Sequence, residues 1–205
     1  MATRQATARG SVRLTSILRI PHEGRSPRPG DAGEVVLIDL KSGEERVIAQ
    51  SRGWEVQVGA NVQWGRSDAE LYFNDVDRRT WRAFAVQMNP ATGARRDLDG
   101  TVFMVSRDGA SLVSHNFVKS RRVLPGYGVI LPDDRMVKNI GPVADDGIYV
   151  TDTDTGRSRM SGAVGSHSAY ADIGRNRRRG TPRRAWAGPC LPGLVSQCAV
   201  GLWRR

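Results

Sequence analysis

Cysteine is scarce: the 205 residues hold two, Cys190 and Cys198, both within the last sixteen positions. A disulfide framework is therefore excluded as the source of stability. Histidine occurs three times, at His22, His115 and His167, with no HxH or HxxxH pair, so spacing announces no metal centre. Nothing approaches the roughly 18 consecutive apolar residues of a membrane span. The opening stretch MATRQATARGSVRLTSILRI has arginines but lacks the continuous apolar run of a secretory signal, so a cytoplasmic location is expected. GxSxG, GxGxxG, HExxH, CxxC and the P-loop are all missing, which removes the common hydrolase, nucleotide and zinc signatures.

What is present is positive charge. Lys and Arg number 31 against 21 Asp and Glu, a formal net charge of +10 with an isoelectric point near 10.7. That balance suggests nucleic acid or another anionic surface, until its location is read. From Arg157 to Arg205 there are ten arginines, no lysine and one acid, Asp172. Residues 1–30 carry six arginines and one glutamate, whereas residues 31–156 hold 19 acids against 15 bases. The basicity thus belongs to the two ends. Residues 1–14 read as a disordered N-terminus. Residues 161–205 are rich in Arg, Gly and Pro and keep no period of 2 or 3.6, so a disordered or irregular tail is expected. Three readings fit it. It is a tail without a partner, a GC-rich coding stretch read out of frame, or a nucleic-acid arm placing Arg177, Arg178, Arg179, Arg183 and Arg184 on phosphates. The abrupt loss of lysine and acid favours the second and sets nucleic acid last.

Residues 15–160 are organised by a repeat. VVLIDLKSGEERVIA from Val35, FAVQMNPATGARRDL from Phe84 and IYVTDTDTGRSRM from Ile148 align without gaps. Each is an apolar strand followed by Asp or Asn, two residues, Ser or Thr, Gly, two residues and Arg. The sets are Asp39, Ser42, Gly43 and Arg46; Asn89, Thr92, Gly93 and Arg96; and Asp152, Thr155, Gly156 and Arg159. An Asx side chain bonds the backbone two residues on and Gly supplies a positive φ, which makes a β-hairpin. A second hairpin type lies between these, VQWGRSDAELYFND from Val62 and MVSRDGASLVSHN from Met104, turning at Asp68 and at Asp108-Gly109. The motif glycines are 50 and then 63 residues apart. Four short strands in roughly 40–50 residues is the period of a propeller blade. The longer spacing holds an insertion, SRRVLPGYGVILPDDRMVKNIGPVADD, read as loops and turns. The expected fold is all-β, an incomplete β-propeller of about three four-stranded blades. A sandwich would supply such strands but not the repeated hairpin.

IPHEGRSPRPGDAGEVVLIDLKSGEE, RGWEVQVGANVQWGRSDAELYFNDVD, PATGARRDLDGTVFMVSRDG, PGYGVILPDDR and ADDGIYVTDTDTGRSR together resemble the oligogalacturonate lyase-like seven-bladed β-propellers. The similarity covers about residues 15–160 and is strongest at VQWGRSDAELYFNDVD. It implies a chain that stops after about three blades, inside the third outer hairpin and just after GRSR. It also implies exposed blade edges that self-associate. For the enzymes of that family it implies a manganese-like divalent metal, held by His and Gln in a central funnel, and β-elimination on an acidic oligosaccharide.

Candidate site residues follow from both lines. Gln57 and Gln63 interrupt an apolar strand pair, as funnel-facing polar side chains would. Asn74 and Asp75 follow LYF and suit a polar ligand, but the run NDVDRRT reads better as a turn. Arg121 and Arg122 precede LPGYG and could pair with a uronate carboxylate bidentately. His115, alone after the strand SLVS, is the one candidate metal ligand inside the repeat, although a lone strand histidine is the pattern of a structural side chain. The aromatic residues Trp54, Trp64, Trp81, Tyr72, Phe73 and Phe103 suit inter-blade core better than sugar stacking. The expected function is a non-catalytic truncated propeller of scaffold or ligand-binding ancestry, with no catalytic residue assigned and no membrane partner. The lyase-like enzyme is the first alternative and a nucleic-acid binder the second.

Overall fold

The motif side chains build the turns themselves. Oδ1 of Asp39 accepts from the N–H groups of Lys41 and Ser42. Asn89 does the same for Ala91 and Thr92, and Asp152 for Asp154 and Thr155. In each turn the glycine N–H donates to the carbonyl of the motif Asx. Gly43, Gly93 and Gly156 sit at φ of 74°, 77° and 77°, where a Cβ would be strained. A fourth turn is built alike without matching the motif. Asp77 caps Arg79 and Thr80, and Trp81, at φ 60°, takes the place of the glycine. Packing of Trp81 against the cluster of Val76, Phe117, Val129 and Leu131 offsets that backbone strain.

The computed structural model describes residues 2–3, 14–19, 25–124, 126–136 and 146–163. The chain divides into two units, Met1–His167 and Ser168–Arg205, and every described residue lies in the first. His22, His167, both cysteines and the tail arginines lie outside the described residues. The strands form three four-stranded antiparallel sheets in chain order, none closed on itself. The first holds β1 (Ala2–Thr3), β2 (Leu14–Arg19), β3 (Gly33–Asp39) and β4 (Glu45–Ser51). The second holds β5 (Gln63–Trp64), β6 (Leu71–Val76), β7 (Ala83–Met88) and β8 (Arg95–Asp97). The third holds β9 (Met104–Val105), β10 (Ser111–Ser114), β11 (Gly147–Asp152) and β12 (Ser158–Ala163).

Three expectations need correction. β12 pairs with β11 from Ser158 through Ala163, so the third sheet completes its outer hairpin beyond residue 160. The expected insertion from Ser120 opens inside a helix, α1 (Phe117–Val123), capped by Asn116, whose side chain accepts from Val118 and Lys119. Asn74 and Asp75 are not turn residues. They are buried in β6, and the turn starts two residues later at Asp77.

The second sheet is covered on both faces, and all six residues of β6 are buried. Leu71 and Phe73 pack with Val35, Leu37 and Trp54 between the first and second sheets. Tyr72 points the other way, to Val102 and Leu112 between the second and third. Alternation along a strand with two covered faces puts apolar side chains on both. Trp54, Trp64, Tyr72 and Phe73 are accordingly core. A third cluster, Val76, Phe117, Val129 and Leu131, seats α1 and the segment after it against one end of the second sheet.

Directly opposed residues of neighbouring strands share a face, and one cross-strand row recurs in all three sheets. It reads Thr3, Ser16, Leu37, Arg46 in the first. It reads Gln63, Tyr72, Gln87, Arg96 in the second and Met104, Val113, Val150, Arg159 in the third. In the first sheet Leu37 and Arg46 of the row face the second, in the second Tyr72 and Arg96 face the third, and each arginine reaches across. Arg46 Nη2 donates to the Pro90 carbonyl at 3.1 Å. Arg96 donates to the carbonyls of Thr153 and Asp154, the latter at 2.8 Å. The motif arginine therefore clamps the main chain of the following turn.

Candidate functional site

Two of the polar candidates are turned into the sheet stack. Asn74 has no exposed surface. Its Nδ2 donates to Val102 O and its Oδ1 accepts from Val102 N, both at 2.7 Å. Gln63 Nε2 donates to Phe103 O at 2.6 Å, and its Oε1 accepts from Val105 N at 3.1 Å. Both amides thus grip the segment that leads into β9, and they position the third sheet on the second.

Gln57 and Arg121 are brought to one place by Gly126. Gln57 is exposed, its N–H donates to Gly126 O, and its side chain lies where a Cβ on Gly126 would stand. Gly126 and Arg121 both line a cleft of about 510 Å³, with Pro27, Pro29 and Asp133. The wall carrying the two prolines is fixed by Asp31. Its carboxylate takes two bonds from Arg25 and one from the Arg28 N–H, and these partners hold its pKa at about 2. The Asp31 carbonyl accepts from Trp54 Nε1 at 2.8 Å, tying that wall to the core. The backbone of Arg122 belongs to α1, and its side chain lies outside the described residues.

The Gly128 N–H holds a buried group to which the sequence gives little clue. Glu55 is 1% exposed, with Oε2 accepting from the Gly128 N–H and Oε1 buried without a hydrogen-bond partner. The Asn61 amide favours the charged form of Glu55, although its Nδ2 is buried and meets no hydrogen-bond partner of good geometry. Desolvation pushes the Glu55 carboxyl above its ordinary range, against the pull of the Gly128 N–H. The signal was a lone acid in the run WEVQV, which only burial turns into chemistry. Gly128 is equally constrained, because a Cβ there would stand 2.5 Å from Arg121 N and Phe117 O.

His115 sits apart, in a second cleft of about 340 Å³ with Thr101, Asn116, Tyr149 and Ser158. Its ring stacks on Phe117 at 4.6 Å and meets the edge of Phe103 at 5.1 Å. Burial lowers its pKa and Asp146 opposes the shift, so the imidazole is neutral at pH 7. Among the described residues no three His, Cys, Asp or Glu side chains converge as a metal would require. His115 is wedged between rings and Gln57 lies against the other cleft, so the residues described do not fit the divalent ion of the lyase-like propellers. Among them, too, no helix is long and apolar enough to cross a membrane.

No protein-family profile matches the chain, and no curated protein matches it. What the geometry offers chemically is a cleft whose charged lining residues are Arg121 and Asp133, a separate buried carboxyl at Glu55, and three sheets locked in register.

Proposed function

We propose that residues 14–163 are three consecutive blades of an incomplete β-propeller, and that the chain works as a non-catalytic scaffold or ligand-binding module. The observation that carries this reading is the recurrent row ending in arginine. Arg46 and Arg96 reach the same backbone position of the next hairpin, so each sheet is a socket for its successor. Stacking of that kind belongs to radially or linearly repeated sheets, in which each unit contacts only its neighbours. A two-layer sandwich has no middle sheet with both faces covered. The resemblance to oligogalacturonate lyase-like propellers points the same way, and an acidic oligosaccharide is the ligand it suggests for the cleft at Arg121.

Two measurements test this. Amide hydrogen exchange should protect β6 and β7 above β3 and β10, because only the middle sheet is covered twice. Exchange of β6 as fast as that of the exposed β8 would remove the three-blade reading. Incubation with oligogalacturonate and manganese should leave the ultraviolet absorbance of unsaturated uronate flat. A metal-dependent rise would replace the scaffold by the lyase.

A further inference from the structure

The row that ends in Arg46 and Arg96 has a third member whose arginine has nothing to hold. Arg159 is exposed, and its side chain makes no hydrogen bond or ion pair among the described residues. It lies on the face of the third sheet turned away from the second, in line with Met104, Val113 and Val150. Met104 is 59% exposed, at the register position that Gln63 fills in the second sheet. At the other end of the stack the complementary half of the clamp is vacant. Leu40 occupies the place in its turn that Pro90 and Thr153 occupy in theirs. Its carbonyl accepts from no described residue, and its side chain is 54% exposed. The outward face of the first sheet carries Val47, 47% exposed, opposite Val36, which has no exposed surface. A donor arginine and an apolar row at one end therefore meet an acceptor carbonyl and the exposed side chains of Leu40 and Val47 at the other.

We infer that a second copy of this chain docks head to tail on the third sheet. The first sheet of one copy covers Met104, Val113 and Val150 of the other, and Arg159 donates to the Leu40 carbonyl across the junction. This rests on the three-blade reading, since it continues the stack by one more step of the same kind. Two copies supply six sheets, within the four to eight that closed propellers use. The contact joins two different faces, so it is heterologous and closes only as a ring.

The full chain tests it by size-exclusion chromatography with light scattering, up to about 100 μM. Wild type should run as a dimer. Met104→Asp spoils one face and Val47→Asp the other, both at exposed positions, and each alone should be a monomer. Mixed in equal amounts they should give a dimer, because one intact junction remains. Arg159→Ala should weaken association about tenfold by removing a charged hydrogen bond. A monomeric wild type, or a Val47→Asp variant that dimerises unchanged, would overturn the inference. So would a mixture that stays monomeric. Hydrogen exchange on the same samples separates the two readings. A wild-type monomer with β6 protected defeats the docking alone, whereas a monomer with β6 unprotected defeats the three-blade stack as well.

Discussion

Replacing Asn74 by alanine should cost a large part of the stability of the three-sheet unit. The side chain is fully buried, and its amide pairs with both the N–H and the carbonyl of Val102, which itself has no exposed surface. Truncation leaves those two backbone groups without partners and without water. Each orphaned group costs about 1–3 kcal/mol, so a loss of about 4 kcal/mol is expected, against the ~5–15 kcal/mol typical of a domain. With a urea slope of about 2 kcal/mol per molar, the unfolding midpoint should fall by about 2 M. Gln87→Ala is the control. It removes one partly buried bond, from Gln87 Nε2 to the Tyr72 hydroxyl at 3.0 Å, and orphans no backbone group. It should cost no more than about 1 kcal/mol. Equal midpoints for the two variants would refute the claim that Asn74 positions the third sheet, and would return it to the list of ligand-facing residues.

Glu55→Gln should flatten one segment of the pH profile of stability. The folded-state pKa of Glu55 is raised above the ordinary 4.5, so its contribution is full below that value and is lost as pH rises through the folded pKa. Wild type should therefore weaken across that interval and the variant should not; the same slope in both would remove Glu55 as the cause. Gly100→Ala should destabilise by about 1–3 kcal/mol in thermal unfolding, because the new Cβ would stand 2.1 Å from Thr151 Oγ1 and 2.7 Å from Ser158 Oγ. Gly43→Ala meets nothing within 4 Å and should cost only the left-handed backbone penalty of about 1 kcal/mol. Arg96→Ala should cost about 1 kcal/mol and speed amide exchange in the Asp152–Gly156 turn before that of the second sheet.

The hairpins were legible because their chemistry is local. Asp39, Asn89 and Asp152 bond backbone groups two and three residues away, and a gapless alignment exposes that pattern. The turn in NDVDRRT was legible from its composition, but its kinship with the repeat was not, because Trp81 stands where the pattern asks for glycine. The helix at Phe117 escaped for another reason. Its local cue, Asn116 as a cap, is one residue amid text full of turn formers. Gln63 and Asn74 looked like ligand-facing polar side chains because they interrupt apolar strands. Their partners lie 28 to 42 residues along the chain, and no spacing rule announces them. Burial likewise decides Glu55, and burial is a property of the fold. Gly126 joins Gln57 to the cleft of Arg121 through a backbone approach that neither residue type signals.

Because the arginine arm grips a carbonyl, it never reads a side chain. Leu40, Pro90 and Thr153 share no chemistry beyond the peptide group, yet they hold equivalent places. A joint of that sort tolerates drift: the units can be copied, diverge in sequence and be rejoined in another order without losing their fit.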